Sequence, residues 1–74
     1  MPLPSDIPEL DDTSPMPLGK EHRGVRMEKV PAGYLHYLWT SGIRDGTRQE
    51  QLQVADYIDR HLSALKDEYP NGIW

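Results

Sequence analysis

Lys20, His22, Arg23 and Arg26 are the residues of this chain whose types and spacing suit binding chemistry: three stand between Gly19 and Gly24, and the fourth follows two positions later. Cations carried on a glycine-bounded turn leave the backbone free to approach an anion closely, and each can neutralise one phosphate. Tyr34, Tyr37 and Trp39 come shortly after. Beside a basic turn, aromatic rings offer faces on which unpaired bases stack. At helical spacing such rings also build cores, and Tyr34 reads that way, whereas Tyr37 lies off the face marked by Leu35 and Leu38. The bland counterpart of the whole set is a solvated, charged hairpin tip.

Nothing in the chain is spaced as a nucleophile with its base, so no enzymatic activity is expected. His22, His36 and His61 are far apart, and none has a second histidine or a carboxylate four residues away. No metal site and no cofactor is expected from that pattern. Asp56, Asp59, Asp67 and Glu68 read as the wet face of a helix, where an exposed carboxylate keeps an ordinary pKa and offers nothing special for proton transfer.

The elements that must position these side chains belong to one domain at most, because 74 residues are near the size at which an apolar core barely outweighs chain entropy. The absence of cysteine excludes a disulfide framework and a thiolate metal site, which fits a reducing, cytoplasmic setting. The opening residues show neither the basic start of a signal peptide nor the apolar run of a membrane span. A net charge of -4 argues against generic polyanion binding by the whole molecule, yet the first 13 residues alone hold four acids and no base. The cations concentrate in the central turn.

Residues 1–13 contain three prolines and four acids, a composition that predicts a flexible, extended arm outside a domain spanning residues 14–74. Its acids can lie against the basic turn and compete with a ligand there, or Leu3, Ile7 and Leu10 can fill a groove on the domain. Residues 13–18 and 25–30 flank the turn, and Val25 and Met27 alternate with Arg26 and Glu28 at the period of a half-buried strand. This predicts a two-stranded β-hairpin whose first arm, with Pro15 and Pro17, is an edge. A short helix follows from Pro31, with Tyr34, Leu35, Leu38 and Trp39 at i, i+4 spacing and Gly42 as its left-handed cap. Thr47 and Glu50 form a capping-box pattern for one long amphipathic helix running to 66 or 68, with Leu52, Ala55, Ile58, Leu62 and Leu65 as its stripe. The expected class is α+β: arm, β-hairpin, short helix and long C-terminal helix.

Met16-Pro17-Leu18-Gly19-Lys20, then Arg23-Gly24, Val30-Pro31 and Tyr34-Leu35, resemble a small bacterial domain of unknown function. Its pattern is approximately Met-Pro-Phe-Gly-Lys-x-Lys/Arg-Gly followed by Val-Pro-x-x-Tyr-Leu-x-Trp-Leu. Some members carry the label of quorum-sensing-regulated virulence factor, and the module is similar to the C-terminal part of exodeoxyribonuclease-X-like exonucleases. Here Leu18 replaces the phenylalanine, the turn is one residue longer, and Tyr37 replaces the tryptophan. The resemblance implies an accessory nucleic-acid-binding role and no catalytic residue. Single-stranded or structured nucleic acid held by Lys20, His22, Arg23, Arg26 and Tyr37 is therefore the first expectation. The alternative is a protein-interaction or dimerisation module using Trp39, Ile73 and Trp74, large apolar side chains in excess of what one small core buries. No membrane partner is expected.

Overall fold

Pro15 and Pro17 decide what becomes of the expected hairpin. The computed structural model describes residue 3, residues 6–19 and residues 21–74. In it the two flanking segments do run antiparallel: the Met16 amide donates to the Val25 carbonyl (2.8 Å), the Gly24 amide to Met16 (2.9 Å) and the Met27 amide to Ser14 (2.9 Å). Only one isolated bridge, Pro15 with Arg26, results, and among the described residues there is no β-strand. The α+β class and the β-hairpin are thus corrected to an all-helical fold. Proline holds φ near -65°, far from the roughly -140° of an antiparallel strand. Beyond it the chain curls on both sides. The Asp11 carboxylate accepts from the Thr13 amide (3.0 Å), the Thr13 hydroxyl (2.8 Å) and the Ser14 hydroxyl (3.0 Å), and these bonds, Thr13's hydroxyl foremost, hold its pKa below the ordinary value. On the other side Met27–Lys29 forms a 3-10 turn that buries Met27.

Helix α1, Ala32–Thr40, begins after Pro31 and stops because Gly42 takes a φ of 98°, which only glycine adopts without strain. A 3-10 turn at Ile43–Asp45 leads to α2, Gln49–Arg60. The capping pattern sits one residue later than the threonine predicts. Arg48 is the cap, and its amide donates to Gln51 Oε1 at 3.3 Å.

The single long helix is also corrected. It divides at His61, whose φ of -112° and ψ of 17° lie outside the helical well, and continues as α3, Leu62–Glu68. His61 turns its imidazole onto its own helix: Nδ1 lies 2.8 Å from the Tyr57 carbonyl, and its ring stacks on the Tyr57 ring at 4.1 Å. A side chain that competes for a backbone carbonyl in this way is a local reason for a helix to break.

Met16, Met27, Leu35, Val54 and Ile58 are the most deeply buried large side chains, with Leu38, Trp39, Ile43 and Leu65 around them. Leu10, from the segment expected as an arm, joins this core. Residues 8–12 lie along α2: Gln53 Nε2 donates to the Pro8 carbonyl (2.7 Å), Arg60 Nη2 to the Leu10 carbonyl, and the Tyr57 hydroxyl to Asp12 Oδ1 (2.8 Å). Covered on this side as well as by the core, α2 buries six consecutive residues, Gln53 to Ile58. Asp56, read as part of a wet face, is consequently only 4% exposed and pairs with Arg60 Nε at 2.8 Å. Among the described residues no helix is long and apolar enough to cross a membrane.

Burial first, and then the Asp12 hydrogen bond, push the Tyr57 phenol well above its ordinary value of about 10. Because the folded value exceeds the unfolded one, the stabilisation is complete below about pH 10 and is lost as pH climbs toward the folded value. In alkaline urea denaturation, wild type should therefore lose stability above about pH 10 faster than Tyr57→Phe does. Parallel curves for the two proteins would show that this phenol is not shielded.

Candidate nucleic-acid interface

The turn and α1 meet through aromatic rings. Gly19, at a φ of 82°, passes beneath the Tyr34 hydroxyl so closely that a Cβ would overlap it. Only glycine satisfies both the backbone angle and that approach. The turn then brings the His22 ring against Tyr34, with centroids 4.4 Å apart and planes inclined at 36°. Tyr34 in turn stacks with Tyr37, one helical turn away on α1, at 6.2 Å and 29°. The result is a row of three rings, His22, Tyr34 and Tyr37, spanning two elements. Its outer member, Tyr37, is 62% exposed.

The cations are arranged less simply. Arg23 is exposed next to His22 in the turn. Arg26 is exposed too, but its guanidinium lies 3.8 Å from the Glu28 carboxylate, a solvent-screened pair that a phosphate can displace at small cost. His22 Nδ1 is buried without a hydrogen-bond partner among the described residues, and the ring packs on Tyr34. Lys20 lies outside the described residues.

Of the residues expected from sequence, the structure brings His22 and Tyr37 together through Tyr34, with Arg23 adjoining. Trp39 points instead into the core and cannot stack on a ligand. Tyr34, read as core, is half-buried and is the ring that joins turn to helix. The i, i+3 spacing of Tyr34 and Tyr37 was the available signal, but nothing local announces that His22 completes the row. Scans against protein-family models, curated proteins and solved structures found no match to this chain.

A second aromatic group occupies another side of α1. His36 packs on Tyr69 (5.2 Å) and on the edge of Trp74 (5.0 Å), and its Nε2 lies 3.2 Å from the Ile73 carbonyl. The C-terminal residues thus fold back on the helix. Of the three apolar side chains expected to meet a protein partner, Trp39 is buried and Trp74 is packed against the core, leaving Ile73, 89% exposed.

Proposed function

We propose that this chain is a non-enzymatic module that holds single-stranded nucleic acid, stacking a base on Tyr37 and placing phosphates on Arg23 and Arg26. The observation that carries the reading is the ring row, which runs from His22, beside the exposed Arg23, through Tyr34 to the exposed Tyr37. A base on the outer face of Tyr37 extends an existing stack, and base–aromatic stacking contributes about 1–3 kcal/mol per base. Tyr37 already packs on Tyr34, which reduces the freedom lost when the base arrives. The consumption of Trp39 and Trp74 by intramolecular packing disfavours the protein-docking alternative, and the exonuclease-associated resemblance points to the same ligand class. With few cations and an acidic chain, binding is weak and strongly salt-dependent.

Fluorescence anisotropy with short labelled oligonucleotides at low salt tests this. Tyr37→Ala should weaken binding by about five- to 160-fold, the equivalent of one lost stack. Arg23→Ala should lower affinity across all sequences and reduce the slope of log K against log salt by about 0.7, one single-strand phosphate contact. Absence of binding at high micromolar protein, or affinity indifferent to both changes, would overturn the proposal.

A further inference from the structure

Away from the ring row, a pocket of about 200 Å³ opens beside the break between α2 and α3. Its floor is apolar, formed by Met27, Leu35 and Leu65, all buried. Its walls carry the carboxylates of Asp12, Glu28 and Glu68, and no lysine or arginine lines it among the described residues. Two of the acids are held side by side by the backbone, since the Glu28 amide donates to the Asp12 carbonyl at 3.0 Å. The Asp12 side chain is fixed by the Tyr57 hydroxyl, with His61 Nε2 3.5 Å from the same oxygen. Tyr57 and His61 also line the pocket, Arg26 reaches Glu28 through the exposed 3.8 Å pair, and Arg60 lies 5.9 Å from the centre of the Tyr57 ring.

An apolar floor under a negative rim selects a ligand with a hydrocarbon body and a cationic end. Among the described residues no group of side chains is arranged to hold a metal ion, so the charge suits an organic cation. A cavity of about 150 Å³ holds a benzene ring, so the space here accommodates a small ligand such as a four-carbon amine. We infer that this pocket binds a primary alkylammonium group, its carbon chain on Met27, Leu35 and Leu65 and its ammonium among Asp12, Glu28 and Glu68. This site has the opposite charge to the one proposed for nucleic acid and meets it at the Arg26–Glu28 pair.

The test is an amide-resolved NMR titration of the full chain at pH 7 with n-butylammonium chloride, against n-butanol as the neutral molecule of the same shape. Butylammonium should give saturable shifts centred on Met27, Leu35 and Leu65, with a dissociation constant on the order of millimolar for so small a ligand. Butanol should bind at least tenfold more weakly. The double change Glu28→Gln and Glu68→Gln, both at exposed positions, should weaken butylammonium about tenfold, and Ala64→Leu at the exposed mouth should abolish it by filling the space. Nα-acetyl-lysine amide separates the sources of the group: affinity equal to that of butylammonium assigns it to a peptide lysine, and a tenfold deficit assigns it to a free amine. Equal binding of butanol, shifts that never saturate and spread over every surface acid, or binding unaffected by Ala64→Leu in a variant with native spectral dispersion would each overturn the proposal.

Discussion

Replacing Ile58 by alanine is expected to remove a large part of the stability of this domain, about 2–5 kcal/mol. A chain of this length has a total on the order of 4–11 kcal/mol. Ile58 is 0% exposed and sits in the last turn of α2, where the core and the docked N-terminal segment both cover the helix. Truncation there loses the transfer free energy of the removed carbons and leaves a cavity that close-packed neighbours cannot fill. In a domain of this size each kcal/mol moves the melting temperature by about 4–8 °C, so the midpoint should fall by about 8 °C or more. Ile73→Ala supplies the contrast: its side chain is 89% exposed, and the change should stay within about 0.5 kcal/mol. Urea denaturation followed by circular dichroism reads both. Equal effects at the two positions would mean that α2 does not face the core as described.

The second large effect is expected at Arg60. Its Nε–H donates to the buried Asp56 carboxylate at 2.8 Å, its Nη2 to the Leu10 carbonyl, and its guanidinium lies 5.9 Å from the centre of the Tyr57 ring. Arg60→Ala therefore strands a buried negative charge and removes a tie between α2 and residues 8–12. Losing one partner of a buried pair costs about 3–5 kcal/mol, but this arginine is one-third exposed and water can reach the vacated space, so about 2–3 kcal/mol is expected. Asp56→Ala in the Arg60→Ala background removes the stranded carboxylate, and the double variant should be less destabilised than the two single changes added together. Strict additivity would show that the two side chains do not interact. A loss below 0.5 kcal/mol for Arg60→Ala would show that the N-terminal segment does not depend on this residue.

Local pattern made much of the helical content legible. The Leu35, Leu38 and Trp39 spacing marks α1, and Gly42 marks its end because a positive φ is written in the residue itself. The stripe from Ala55 through Ile58 to Leu65 likewise marks the inner face of α2 and α3. The interface residues were legible as types, a cationic turn followed by tyrosines, but their assembly into one row through Tyr34 was not. That assembly depends on how closely Gly19 approaches α1, a distance between segments separated by a dozen or more positions.

Tertiary structure bore on three things. Alternation over 25–30 carries the period of a strand, yet a strand exists only if its partner can pair, and the partner's prolines and the turns at 11–14 and Met27–Lys29 limit pairing to a single bridge. At His61 a local contact with the Tyr57 carbonyl is joined by one that only the fold supplies, Asp12 from the far end of the chain. Asp56 could not be recognised as buried from its own helix, since an acid leaves water only where a counter-charge and cover arrive together. Here the cover is Leu10 and its neighbours, fifty positions from Arg60, and no local periodicity records a contact across that separation.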